Sequence, residues 1–300
     1  MTGAAAQPIV VLGDLMIDVM ALLQGPLAPN SDSPGRITIR GGGSAANTAC
    51  WLAAEGTETV FVGAVGMDSA GRGAVDELRA AGVRPSLTFA ADRPTGTVVV
   101  LVDPDGERTM VPDAGANSVL RPEDLPEAEF SVGRHLHLSG YTLLNPESRA
   151  AGIAALDLAR SRGMTTSVDV ASAGPLAAVG PDEFLDWIGS PFMLFANRDE
   201  AAVLTGIDDP AEATRALTEL CDQVVVKLGA DGVVRHDALF DRSIRVPAAP
   251  VAEVVDTTGA GDAFAAGYLG AWMRDADPEV ALAEGCRLAA RVIQKVGGRP

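Results

Sequence analysis

Three hundred residues, 47% of them hydrophobic and 21% charged, suffice for one large globular domain. A formal charge of −17 argues against nucleic acid or an anionic membrane as the main partner, because either calls for a basic surface. A nucleotide ligand stays open, since backbone amides and helix ends bind phosphate locally. Aromatics are only 4%, so the core is expected from Ala, Val and Leu. Cys50, Cys221 and Cys286 are far apart and odd in number, which fits the reduced thiols of a cytoplasmic protein. The apolar stretch 8–23 is broken by Asp14 and Asp18 with no basic segment before it, so neither a signal peptide nor a membrane span is expected.

In chain order, a strand over Ile9–Leu12 runs into Gly13-Asp14-Leu15-Met16-Ile17-Asp18, and a Pro/Gly/Asp-rich stretch leads to a short alternating run, Arg36–Arg40. Gly41-Gly42-Gly43 then opens a small-residue helix through about Glu55. A strand is expected over Thr59–Val65 and a helix over Asp68–Ala81. Thr95–Val102 and Glu107–Val111, joined by Asp103-Pro104-Asp105-Gly106, carry a hairpin signature. From His135 the rhythm is strand then helix. Strands are expected at His135–Leu138, Thr165–Val170, Phe192–Ala196 and Gln223–Leu228, with helices at Glu147–Arg162, Asp199–Leu204 and Ala211–Leu220. That alternation predicts an α/β fold whose parallel sheet is covered by helices on both faces. The 36–40 run and the hairpin fall outside the rhythm and are expected to form a small separate sheet. Val251–Val255 reads as a last strand, followed by a helix over Ala263–Trp272.

The turn between them, Asp256-Thr257-Thr258-Gly259-Ala260-Gly261-Asp262, is the most informative segment. Small residues let amides approach a ligand, and a helix N-terminus favours an anion there. A carboxylate beside a bound phosphate makes sense as a base for a hydroxyl attacking it. The spacing is equally met by an Asp262 that only caps or charges the helix start. Asp18, the 41–47 turn, Asn197 and the 256–262 turn all follow strand candidates closely, where ligands bind in such sheets. No Walker-type loop and no Gly-x-Gly-x-x-Gly after the first strand occurs, which weakens P-loop and dinucleotide-binding readings. His135 and His137 alternate within an apolar run, but two imidazoles without further ligands point to packed histidines more than to zinc. Lys227 and Lys295 are the only two lysines. Lys227 ends a Val-rich strand before Gly229 and Gly232, placed to reach a polyphosphate or else simply on the surface.

Taken together, these residues carry a resemblance. The 256–262 segment resembles the C-terminal signature of the ribokinase-like (PfkB) carbohydrate kinases. Gly42-Gly43-Ser44-Ala45-Ala46-Asn47 resembles that family's N-terminal glycine-glycine signature. Gly13-x4-Asp18, Thr95-Gly96, Gly115-Ala116-Asn117 and Asn197-Arg198-Asp199-Glu200 follow in the family's order, so the match runs from about Ile9 to Pro300. The resemblance implies a single α/β kinase domain over 1–300, three-layer α/β/α with a mostly parallel central sheet. It also implies a small β-sheet lid from about 15–40 and 88–112. The implied activity is transfer of the ATP γ-phosphoryl group to a sugar hydroxyl, usually an exocyclic CH2OH. By similarity, Asp262 is the base and the amides of Gly259, Ala260 and Gly261 form an anion hole. Asp18 and Asn47, with Asp14, Gly42 and Gly43, serve the sugar. Lys227, Gly229, Gly232, Asn197 and Cys286 fall on the ATP side. Asn197 and Glu200 organise Mg²⁺ through water, and Asp256 and Thr258, with carbonyls near Val292, Lys295 and Gly297, match a potassium site. The lid implies closure over the sugar and a homodimer interface.

On the acceptor the sequence is less explicit. Ser44 stands where ribokinases usually carry Lys, which weakens ribose specifically. No aromatic lies between Asp14 and Asn47 to stack a nucleoside base, so a free sugar is favoured over a nucleoside. A sugar acid would need Arg40 or Arg108 in the pocket, and a phosphorylated sugar is disfavoured by the scarcity of basic groups. A non-catalytic sugar-binding regulator is the alternative of a different class, though a regulator has no need of Asp262.

Overall fold

The computed structural model describes residues 7–105 and 108–300. The Gly106-Glu107 end of the predicted hairpin turn and the Arg108 side chain therefore lie outside the described residues. The strands are β1 (Ile9–Leu12), β2 (Met16–Leu23), β3 (Gly35–Gly42), β4 (Thr59–Gly66), β5 (Arg84–Ala90), β6 (Thr97–Val102), β7 (Arg108–Asp113), β8 (His135–Ser139), β9 (Thr165–Asp169), β10 (Met193–Asn197), β11 (Gln223–Lys227), β12 (Val233–Asp237) and β13 (Arg242–Val246). The helices are α1 (Ser44–Ala54), α2 (Ser69–Ala80), α3 (Tyr141–Leu144), α4 (Arg149–Ser161), α5 (Ala173–Val179), α6 (Pro181–Ile188), α7 (Arg198–Thr205), α8 (Pro210–Leu217), α9 (Ala260–Trp272) and α10 (Pro278–Val292).

Short Val/Ile/Leu runs that are apolar on both faces must be covered on both sides, and the βα rhythm supplies the cover. The large sheet has nine strands in the order β13-β12-β11-β10-β9-β8-β1-β4-β5. β11 through β5 are parallel, and β12 and β13 close one edge as an antiparallel hairpin. Alternate residues of β1 serve opposite cores. Val10 and Leu12 pack with α4, α7 and α8, while Ile9 and Val11 pack with α1, α9 and α10. The expected α/β architecture is thus present, and among the described residues no helix is long and apolar enough to cross a membrane.

Besides β13, α5 and α6, which were not read either, three features depart instructively from the sequence reading. β5 was not expected, because Arg-Pro-Ser-Leu-Thr-Phe-Ala lacks a clean apolar pattern; as an edge strand it has one neighbour and tolerates polar residues. β12 was not expected because Arg235, His236 and Asp237 interrupt its apolar run; it is an interior strand, and Arg235 and Asp237 are buried as a mutual ion pair. Val251–Val255 is not a strand: Val254 and Val255 are exposed, and the Val255 and Asp256 amides donate to the Ile293 carbonyl at the end of α10. The segment after Pro250 therefore pairs with a helix terminus instead of a sheet.

β3-β2-β6-β7 form a separate four-stranded sheet, with residues 88–90 left behind in the large one. Its connections to the body are pinned by side chains. Asn117 Oδ1 accepts the Leu15 amide at 2.9 Å, and its Nδ2 donates to the Leu15 and Ala114 carbonyls at 2.9 and 3.0 Å. Asp68, which caps α2, also accepts the Thr95 amide at 2.8 Å and the Thr95 hydroxyl at 2.7 Å.

Candidate active site

Two helices begin where the sheets meet. α1 starts at Gly43, whose φ of 92° lets the chain turn off β3. Asp14, just past β1, accepts the Ser44 amide at 2.8 Å, the Ala45 amide at 3.4 Å and the Ser139 hydroxyl at 3.0 Å. Its carboxylate thereby holds the positive end of α1, although burial raises its pKa against the pull of those hydrogen bonds. α9 starts at Gly259 (φ 76°), where a Cβ would lie 2.5 Å from the Gly298 Cα, so only glycine fits. The Ala260 amide is spent on the Thr257 carbonyl at 3.2 Å. The amides of Gly261 and Asp262 have no acceptor within the helix, as first-turn N–H groups do not.

Between these helix starts sits Asp262, in the first turn of α9. Its Oδ1 accepts the Ser44 hydroxyl at 2.8 Å and its Oδ2 accepts Asn47 Nδ2 at 2.9 Å. Burial pushes its pKa up to about 7; the two hydrogen bonds oppose the rise, and the charges of Asp169 and Asp14 add to it. Asn47 is buried, and its Oδ1 has no partner among the described residues.

On the small-sheet side, a Cβ on Gly42 would run into the Asp18 carboxylate, so that glycine is what admits the acid. Asp18 lies opposite Arg40 in the β2–β3 register. Burial raises its pKa to about 6 even though the Arg299 charge opposes the shift. Arg299 reaches the same turn, donating to the Gly42 carbonyl at 3.0 Å and to Glu77 at 2.6 Å.

On the opposite side, Lys227 at the end of β11 donates to Asp169 Oδ2 at 2.6 Å, both side chains nearly buried. Its Nζ would stand 3.1 Å from a Cβ on Gly261, so the ammonium faces the first turn of α9. Burial lowers the Lys227 pKa, but the carboxylates of Asp169 and Glu200 outweigh it and the net shift is upward. Asn197 and Glu200 form the capping box of α7. Glu200 accepts the Asn197 amide at 2.7 Å and Nδ2 at 2.6 Å, and Asn197 Oδ1 accepts the Glu200 amide at 2.9 Å. Burial raises the Glu200 pKa to about 7, against the Lys227 charge.

The other sequence candidates lie around this centre. Asp256 accepts the Thr258 amide at 2.8 Å and the Gly297 amide at 2.9 Å, which joins the 256–258 turn to the 292–297 segment. The Val292 carbonyl accepts the Lys295 amide at 3.2 Å, while the Lys295 ammonium lies over Trp51. Gly229 and Gly232 make the turn from β11 to β12. Cys286 is buried in the α9–α10 core, its thiol pushed up to about 11 by burial. His135 and His137 bond to Thr165 and Ser167, and burial holds them neutral with pKa values near 3 and 4.

A model of the pfkB family carbohydrate kinases matches residues 6–300. The chain belongs to that family. An ATP-dependent ribose-1-phosphate kinase of Halopiger xanaduensis is 34% identical over 84% of this chain and 81% of its own length. Ribokinase of Mus musculus is 32% identical over 86% of this chain and 80% of its own. The crystal structure of adenosine kinase from Sinorhizobium meliloti superposes with a TM-score of 0.87 at 26% identity, covering 99% of this chain and 96% of that one.

Three residues of the kinase that converge here were missed as site residues in the sequence reading. Asp169 had a readable signal, a carboxylate at the exit of a buried parallel strand next to β8. Ser44 was weighed only for what it replaces, and its hydroxyl reaches Asp262 across 218 positions of sequence. Arg299 gives no local signal at all, since its placement depends on how the 297–300 segment folds under the glycine turn.

Proposed function

We propose that this kinase transfers the γ-phosphoryl group of ATP to a hydroxyl, preferentially an exocyclic CH2OH, of a free sugar. The acceptor oxygen bonds to the γ-phosphorus as the bond to the β–γ bridging oxygen breaks; its proton passes to Asp262, and ADP leaves. The observation that carries the reading is Asp262 in the first turn of α9, gripped by Ser44 and Asn47, beside helix amides and the Lys227 ammonium. Phosphoryl transfer is a matter of positioning and charge stabilisation, and these groups supply both. Gly259, Gly261 and Lys227 would receive the phosphoryl oxygens. Asp18 and Asn47, with Gly42 and Gly43 giving access, would hold the sugar, and the 229–232 turn would face the nucleotide. Mg²⁺ bound with the nucleotide would neutralise phosphate charge. Each Glu200 oxygen is engaged once by Asn197 and keeps a further lone pair, which fits a metal held through water. Asp256, bonded to the amides of Thr258 and Gly297, ties together the residues of the proposed potassium site, a charge-balancing role near the helix start.

The face of the small sheet that bears Asp18 carries Met20, Val98 and Val100 and no aromatic ring, which favours a sugar over a nucleoside. A second reading has its own support. Arg299 brings a guanidinium to the glycine turn, a cation suited to a phosphorylated sugar of the kind named for the Halopiger relative. ADP release across free pentoses, hexoses, sugar acids, nucleosides and ribose 1-phosphate separates these. Measurable sugar binding with no turnover on any acceptor would point instead to a regulator.

Asp18→Ala is expected to raise the sugar KM by about tenfold or more with a smaller effect on kcat; an unchanged KM would remove Asp18 from the acceptor site. The opposite face of the small sheet exposes Ile37, Ile39, Val99 and Val111, a surface suited to a second copy of the chain. Sedimentation is expected to give a dimer that Ile39→Asp converts to monomer, whereas a wild-type monomer at all concentrations would discard the interface.

A further inference from the structure

The first turn of α1 presents Ser44 and Asn47, three residues apart and so on one face, to the two oxygens of a single carboxylate. Asn47 would be counted with the acceptor site in any case. Ser44 has no such assignment, yet its hydroxyl is fixed as firmly. Its amide is anchored at 2.8 Å on Asp14 Oδ2, and its Oγ stands 2.8 Å from Asp262 Oδ1. Asp14, Ser44 and Asp262 thus form a relay of contacts from the exit of β1 to the start of α9. A hydroxyl donates to a carboxylate oxygen more strongly than to the protonated acid, so its donation favours the ionised form.

We infer that Ser44 is a positioning residue for the proposed base, holding Oδ1 of Asp262 in place and ionised while leaving that oxygen's second lone pair for the acceptor hydroxyl. This rests on the reading of Asp262 given above. The base faces a crowd of titratable groups: Asp14 from the β1 exit, Asp169 from β9, the Lys227 ammonium from β11 and the neutral Tyr141 phenol from α3. Asn47 and Thr48 of α1 add neutral contacts, Thr48 Oγ1 reaching the Asp262 carbonyl at 3.4 Å. In that company, among the described residues, Ser44 and Asn47 are the two side chains that bond the carboxylate directly, and removing either donor must shift its ionisation upward.

The test needs no acceptor. Asp262 is titrated by carbon NMR in nucleotide-free protein labelled at the aspartate carboxyl carbons, with its resonance assigned by its loss in Asp262→Asn. Ser44→Ala is expected to raise the midpoint by about half a unit to one unit, and Ser44→Thr to return it towards wild type. Alanine at the first helical position keeps α1 intact, and thermal melting checks the fold of each variant. A midpoint within about 0.2 unit of wild type in a folded Ser44→Ala protein would overturn the inference. Failure of the parent reading looks different: Asp262→Asn would retain full turnover with D-ribose, D-fructose or adenosine, whatever the titration of Asp262 does.

Discussion

Asp262→Asn is expected to lower kcat by about 10²–10⁴ while ATP and sugar affinities stay within a few-fold. The substitution keeps the size of the side chain, so α1 and α9 still meet, but an amide cannot take the acceptor's proton. The pH dependence sharpens the test. Buried between Asp14, Asp169 and the helix start, Asp262 has a pKa raised to about 7. The base works only when ionised, so wild-type kcat/KM should rise through about pH 7 and level off above it. The residual activity of the Asn variant should lack that limb. Near-normal turnover with the limb intact would remove Asp262 from the chemistry.

Lys227→Met should produce the next largest loss, with kcat down by about 10–10³ and the ATP KM raised. Its ammonium faces Gly261, where the phosphoryl group is proposed to sit, so it acts on charge that develops during transfer as well as on bound nucleotide. The variant also strands Asp169, whose carboxylate is nearly buried and relies on the 2.6 Å contact. Breaking one partner of such a pair costs about 3–5 kcal/mol, so melting should fall by several degrees. Adding Asp169→Asn to Lys227→Met should restore much of the melting temperature and none of the kcat. If kcat returned along with stability, the lysine would be structural only.

The fold was legible because its central strands are apolar on both faces and alternate with helices, a pattern only a covered parallel sheet satisfies. What escaped were the irregular strands of the sheet. β5 and β13 carry Arg, Pro or Ser because each is an edge with a single neighbour, β12 hides Arg235 and Asp237 in the interior as a mutual ion pair, and Val251–Val255 looks like a strand although the Val255 amide bonds the end of α10. At the site, residues in contiguous motifs could be named from sequence alone. The carboxylate of Asp262 and the glycines around it declare themselves by spacing. Ser44 and Arg299 become meaningful only through partners far away in the chain, whereas Asp169 stands at a strand exit that the sequence itself marks. The Asn197–Glu200 element shows the converse: its spacing is that of an ordinary capping box, which the structure forms in full, and no local pattern distinguishes that from a metal-organising role.

The grip on the base joins residue 262 to residues 44 and 47, and Trp51 donates to the Gly298 carbonyl, so the first helix and the last segment are stitched together across 247 positions. During synthesis, everything from β1 to β13 can be laid down before any of these contacts exists. Activity should therefore arrive abruptly, only after residues up to 298 have emerged from the ribosome, and partly made chains should pair strands while remaining inert towards ATP and sugar.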